Sequence, residues 1–322
     1  MNRMKYYICT AIYLLLFLSS CIKDDLTNCP PVEQSLQVIF SSEDETELNI
    51  QSKTLQKATL FVFDKNDNFV TGWLLDEEHQ ERPALDKTYV PDFKLLPGEY
   101  HFIVWFDLVS PYSVTPTMSN FLRGTTRINQ AEFHLEIPEN RSINTPLPLL
   151  LYGYKEGVIK TKNENTIVIP VAQNTNTINI TVTGLPQTTD EYLFRITDTN
   201  GKYTFYGEFA DCEEFSYVDV EKISMEANTL TSSLTVLKLD KNRHPLLTIQ
   251  NQSTGEQIFP VNNDNEDSND LIEMILREYP DIDFKKTHVY NVKIDIDDTN
   301  VTVTVDIDGW IENPSDDEIV PD

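Results

Sequence analysis

The chain has 322 residues, with 52 acidic against 25 basic side chains, a net charge of −27 and four cysteines. Such an excess of acid repels a phosphate backbone and argues against a nucleic-acid binder. Four cysteines are too sparse for a disulfide-built miniprotein, and a 40% hydrophobic content rules out wholesale disorder.

The first segment reads as a targeting signal. Arg3 and Lys5 precede an apolar run from Ile8 to Leu18, shorter than the about 20 residues a membrane-spanning helix needs. The run ends in Leu18-Ser19-Ser20-Cys21, which resembles the lipobox of bacterial lipoproteins. That resemblance implies a signal peptide over residues 1–20 and a mature chain that begins at Cys21. The cysteine would carry acyl chains on its thiol and its amino group, enough for stable anchoring. The competing reading is an ordinary secretory signal cut near Ser20. Lys23, Asp24 and Asp25 follow, and look like the surface-export signal of Bacteroidetes lipoproteins; a solvated tether over residues 21–33 is the plainer alternative.

Strands follow in chain order. Ser35–Phe40 is β-rich. Ala58–Phe63 and Phe69–Leu75 flank the polar cluster Asp64–Asn68 and read as a hairpin. Tyr89–Leu95 is a candidate strand closed by the Pro97-Gly98 turn. Tyr100–Phe106 is apolar throughout, as a central strand buried on both faces would be. Ala131–Ile137, Leu147–Tyr154 and Thr166–Ala172 complete the first half. In the second, Thr177–Thr183 turns at Gly184-Leu185-Pro186, and Tyr192–Thr197 is expected to return through Asp198–Gly201 as Lys202–Phe209. Leu234–Leu239 and Leu246–Gln250 follow, and then a hairpin of His288–Ile296 and Val301–Ile307. One helix is expected over Leu271–Tyr279, capped by Asn269 or Asp270 and stopped by Pro280. This pattern describes an all-β protein of β-sandwich type with one short helix in its second domain. The boundaries are expected at 34–172 and 173–311, with an acidic tail over 312–322.

The mature N-terminus Cys21-Ile22-Lys23-Asp24-Asp25-Leu26-Thr27-Asn28-Cys29-Pro30 resembles that of the FimB-type fimbrial anchor family of Bacteroidetes lipoproteins. The likeness continues through Leu60-Phe61-Val62-Phe63-Asp64, Leu96-Pro97-Gly98-Glu99-Tyr100 with Val104-Trp105, Ile180-Thr181-Val182-Thr183-Gly184-Leu185, and Trp310. It implies two tandem transthyretin-like β-sandwich domains and a place at the base of a type V pilus, as an outer-membrane anchor that limits fimbrial length. The partner implied is a fimbrial stalk subunit joined by strand exchange. In that family an Arg-specific protease removes the first strand of stalk subunits. Here the first arginine after Cys21 is Arg82, well past the first candidate strand, so such a cut cannot trim that strand alone.

Other chemistry is sparse. With only 10 glycines there is no phosphate-cradling loop or nucleophile elbow, and no catalytic or cofactor motif. Asp264, Glu266, Asp267 and Asp270 lack the spacing of a calcium loop and read as a solvated loop before the helix. Asp295, Asp297, Asp298, Asp306 and Asp308 read as the polar face and turn of the last hairpin. The histidines show no metal-ligand spacing; His101, His134 and His288 read as half-buried strand residues. Cys9 leaves with the signal, Cys21 would be lipidated, and Cys29 and Cys212 either pair or stay separate thiols. The alternative function is a surface glycan-binding lipoprotein, with Trp73, Trp105 or Trp310 as stacking platforms, although Trp105 and Trp310 sit in or beside apolar strands.

Overall fold

The computed structural model describes residues 31–42, 55–161, 164–224, 226–261, 269–297 and 301–307. The first half supplies β1 (Leu36–Ser42), β2 (Lys57–Asp64), β3 (Phe69–Asp76), β4 (Thr88–Tyr89), β5 (Gly98–Phe106), β6 (Tyr112–Thr115), β7 (Glu132–Leu135), β8 (Ser142–Ile143), β9 (Leu151–Ile159) and β10 (Asn165–Gln173). The second supplies β11 (Thr175–Thr183), β12 (Glu191–Asp198), β13 (Lys202–Thr204), β14 (Phe215–Lys222), β15 (Leu230–Leu237), β16 (Leu246–Asn251), β17 (Gln257–Phe259), α1 (Leu271–Glu278), β18 (Val289–Ile296) and β19 (Val301–Asp306). Among the described residues the fold is all-β with a single α-helix, in agreement with the sequence pattern.

A seven-stranded sheet runs β3-β2-β5-β9-β10-β1-β4. Alternation divides its side chains between two cores. Leu60, Val62, Phe102, Val104 and Phe106 enter one, with Val38 and Phe40; Phe61, Phe63, Ile103 and Trp105 enter the other. β5 is therefore buried on both faces, as its continuous apolar run requires. The sheet is rolled. At about 4.8 Å per strand, β3 and β4 would lie about 29 Å apart in a flat sheet; instead Trp73 of β3 meets Tyr89 of β4 with ring centroids 6.3 Å apart. The bend falls where β9 and β10 share only three register pairs, Val171↔Gly153 to Gln173↔Leu151. Gly153 permits the close approach there, since a Cβ at that position would lie 2.5 Å from the Pro170 carbonyl.

A three-stranded sheet, β13-β7-β6, covers the outer face of β5, with Trp105 stacked on Phe133 at 4.7 Å and 17°. The second half builds a four-stranded sheet, β15-β11-β18-β19, and a five-stranded sheet, β17-β16-β12-β14-β8. Ile178, Ile180 and Val182 of β11 share a core with Tyr192, Phe194 and Ile196 of β12. α1 buries Leu271, Ile272, Met274 and Ile275 in that core, and the Asp270 carboxylate caps it by accepting from the amides of Ile272 and Glu273. Gly184 ends β11 at φ +83°, tight against Ile296, where a Cβ would overlap the carbonyl oxygen.

The expected hairpin of Tyr192–Thr197 with Lys202–Phe209 does not form. Both edges of β12 are occupied, by β14 and β16. Asn200, fully buried, accepts from the Tyr217 hydroxyl at 2.8 Å and donates to the Lys238 carbonyl, which turns the chain away. β13 instead pairs with β7 of the first half. Conversely, β8 joins the second-half sheet beside β14. The expected strand Tyr89–Leu95 shrinks to Thr88–Tyr89, because Pro91 has no amide to donate to a ladder. His288 is buried and lies one residue ahead of β18, whereas His101 and His134 are half-buried strand residues as expected.

Candidate functional site

β1 is the first strand after the N-terminal segment, and its seat decides whether the chain can hold or lend that strand. It pairs in parallel with β10 over seven register positions, Leu36↔Asn165 to Ser42↔Val171. On its other side β4 contributes two positions. Leu36, Val38 and Phe40 all point into the core of the rolled sheet. The Phe40 ring meets Phe106 edge-on at 5.1 Å and Tyr89 at 5.8 Å. Burial of three such side chains stabilises the strand's seat by several kcal/mol, at about 1.5–3 kcal/mol each.

Arg82 lies between β3 and β4, in an exposed stretch where its side chain pairs with Glu77 at 2.8 Å. A cut there follows β3, so it would sever β1, β2 and β3 together from the rest in sequence. β1 itself contains no arginine.

Sheet edges are the other ingredient of strand exchange. Among the described residues, β3 beyond Val70 and β14 beyond Tyr217 have ladder partners on one side only. The edge of β19 is partly blunted: Arg277 of α1 donates to the Val303 carbonyl at 3.3 Å.

Cys21, Lys23, Asp24, Asp25, Cys29, Trp310 and the 312–322 tail lie outside the described residues, as do Asp264, Glu266, Asp267, Asp298 and Asp308. Cys212 is half-buried against the second-half core, with its thiol donating to the Glu213 carbonyl at 3.4 Å. Trp73 and Trp105 are 4% and 0% exposed, so neither is available as a sugar-stacking platform. Asp270 proves to be the helix cap, and its second oxygen lies 2.6 Å from His244 Nδ1. With Glu273 these form a small group of ligand-type side chains within 4.8 Å of one another. The spacing of His244 and Asp270 along the chain gave no sign of it. Asp295 accepts from the Thr183 hydroxyl and pairs with Lys293 at 2.9 Å, which is the polar strand face expected there.

A rolled sheet with its N-terminal strand built in is thus joined to a second set of sheets. Residues 26–315 match the family of fimbrillin-A associated anchor proteins Mfa1 and Mfa2, and the chain belongs to that family. The family is one of fimbrial anchor proteins rather than enzymes, and gives the chain a fimbrial accessory role at the cell surface. Among solved structures, the chain is similar to the fimbrial anchor protein Mfa2 from Porphyromonas gingivalis, with 18% identity, a TM-score of 0.67, and coverage of 87% of this chain and 98% of that one. It is also similar to a candidate polysaccharide-binding protein from Bacteroides thetaiotaomicron, with 18% identity, a TM-score of 0.69, and coverage of 86% and 97%. A candidate adhesin from Bacteroides ovatus matches at 15% identity and a TM-score of 0.66, over 87% and 95%. At these identities the likeness establishes the shared fold. No curated protein matches the chain.

Proposed function

We propose that this protein is an outer-membrane lipoprotein that anchors, or helps assemble, a type V fimbria. Residues 1–20 act as the signal peptide, Cys21 carries the lipid, and residues 21–33 form the tether. Lys23, Asp24 and Asp25 direct export to the cell exterior. The body is organised as an N-terminal domain over 34–172 and a C-terminal domain over 173–311, which exchange β8 and β13 across their boundary. A stalk subunit is held by strand exchange at an open sheet edge.

The observation that carries this reading is the seat of β1. An anchor must transmit tension from its lipid into its fold, and β1 is tied in by seven parallel register pairs and three buried side chains. With no arginine between Cys21 and Arg82, an Arg-specific protease leaves β1 attached to the tether. The experiment is a Cys21→Ala replacement at the native locus, with fimbriae counted and measured on cells and in the medium. Loss of the protein from the outer membrane, with long fimbriae shed into the medium, supports the reading. Unchanged membrane fractionation and unchanged fimbriae overturn it. Alanine at Lys23, Asp24 and Asp25 tests the export signal separately: the protein should then become protected from protease added to whole cells.

A further inference from the structure

A cavity of about 240 Å³ opens where β9 and β10 pass the turn that follows β13. Tyr152, Tyr154, Tyr206 and Phe284 line it, together with Lys238 and Lys285. The rings are fixed in place. The Tyr152 hydroxyl donates to the Phe205 carbonyl at 2.9 Å, and the Tyr206 hydroxyl to Asp67 at 3.0 Å. Tyr154 stands edge-on to Tyr206 at 5.6 Å. Gly207, at φ +76°, lets the turn lie flat on Tyr152, where a Cβ would come within 2.5 Å of the ring.

The chain carries −27 overall, yet neither lysine forms a carboxylate ion pair among the described residues. Lys238 is half-buried; its ammonium donates to the Gly207 carbonyl at 3.4 Å and sits 5.4 Å from the Phe209 ring. Burial depresses its pKa, and the neighbouring Lys285 acts in the same direction, with Asp240 and Glu208 acting against them. Two lysines that line one cavity without a direct carboxylate ion pair, beside amphipathic rings, suit a ligand with one negative charge and a flat apolar face. The space is below the about 300–1,000 Å³ of sites for drug-sized ligands, and suits a single ring.

We propose that this cavity binds a carboxylated sugar residue of a glycan, a uronic or sialic acid, with its carboxylate between Lys238 and Lys285 and its C–H face on the tyrosine rings. This site is independent of the anchoring role, and it differs from Trp73 and Trp105, which are buried.

The test is calorimetric titration of the full-length protein in detergent with 3′-sialyllactose, glucuronic acid, lactose, galactose 6-sulfate and polyglutamate. Both sugar acids should bind, and lactose should bind at least about tenfold more weakly, as expected for loss of a charge-assisted contact. Lys285→Ala, at an exposed position, should cost a similar factor of about ten with an unchanged melting temperature. Lys238→Met, which keeps the buried stem, should do the same. Absence of binding by both sugar acids at about 20 mM overturns the proposal. Equal binding of lactose, or unchanged affinity in both lysine variants, also overturns it. Galactose 6-sulfate binding as tightly as glucuronic acid overturns the carboxylate assignment, and polyglutamate binding as tightly overturns the sugar.

Discussion

The ring of Phe205, just past β13, meets the ring of Phe61 in β2 edge-on, with centroids 5.0 Å apart and planes at 68°. Phe205 also touches Phe63 and Phe121, so a side chain from the second half completes a core of the first. Phe205→Ala should cost about 3–5 kcal/mol, the usual range for a buried phenylalanine. Because β13 stays paired with β7 and β8 with β14, the halves remain coupled and the variant should still unfold in one step. In a Trp310→Phe background, melting followed by tryptophan fluorescence, which then reports on Trp73 and Trp105 in the first half, and by far-ultraviolet circular dichroism should give coincident midpoints, both lowered. Separate midpoints would show that the halves are energetically independent.

The seat of β1 makes a second prediction. Phe40 is fully buried and packs on Phe106 and Tyr89. Phe40→Ala should lower stability by about 3–5 kcal/mol, read from the denaturant midpoint. Ile39, on the opposite face of the same strand, is half-buried. Ile39→Val should shift the midpoint by less than about 1.5 kcal/mol. Equal costs for the two would mean that the strand is not held by its inward face.

These long-range contacts are also where the sequence fell short. The hairpin of β2 and β3 was legible because Asp64 holds its own turn, accepting from the amides of Asn66 and Asn68. α1 was legible because Asp270 caps it two and three residues away. Both signals are local. The parallel partners of β1 and β11 lie more than 100 residues away, at β10 and β18, and alternation within a strand carries no record of which edge it will join. β13 was misplaced for the same reason: its apolar pattern suited a hairpin, while Asn200, a residue that reads as turn, was committed to Tyr217 and Lys238. In the cavity, Lys238 and Lys285 are 47 positions apart, and Tyr152 and Tyr154 read as ordinary strand residues.

His134 of β7 stands opposite Lys202 of β13 in the ladder that joins the halves, with Ser113 of β6 opposite on its other side. Glu132 is its acidic neighbour, 3.6 Å from Nε2. Burial lowers the His134 pKa below its ordinary 6.5, Lys202 adds to the effect, and Glu132 opposes it. The folded state therefore binds the proton less readily than the unfolded state. The stabilising contribution is fully present above pH 6.5 and is lost as the pH falls through the lower folded value. Between pH 7.5 and pH 5 the melting temperature of the native protein should fall further than that of His134→Gln, which cannot take up the proton. A steeper fall in the variant would reverse the assigned sign.

Asp270 holds the start of α1, accepting at 2.8 Å from Ile272 and 3.2 Å from Glu273. Asp270→Ala removes both bonds and the contact with His244, and should destabilise the protein by about 1–2 kcal/mol. Asp270→Asn keeps an oxygen for the cap and should recover most of that loss in a thermal melt. If asparagine is as damaging as alanine, the charge shared with His244 matters more than the cap.

Limited digestion tests how firmly the first strands are held. Arg82 is exposed between β3 and β4, and Arg123, Arg127 and Arg141 are exposed further along, all after β6. Cleavage at Arg82 leaves a fragment that carries β1, β2 and β3. β1 remains paired with β10 over seven positions, and β2 with β5 over seven more, from Ala58↔Phe106 to Asp64↔Tyr100. Their side chains fill both cores of the rolled sheet. After native digestion with an Arg-specific protease, the fragment ending at Arg82 should co-elute with the remainder in size-exclusion chromatography and separate only in denaturant. If the fragment dissociates in native buffer, β1 is releasable, and the fold would behave as a subunit that surrenders its first strand rather than as one that hangs from it.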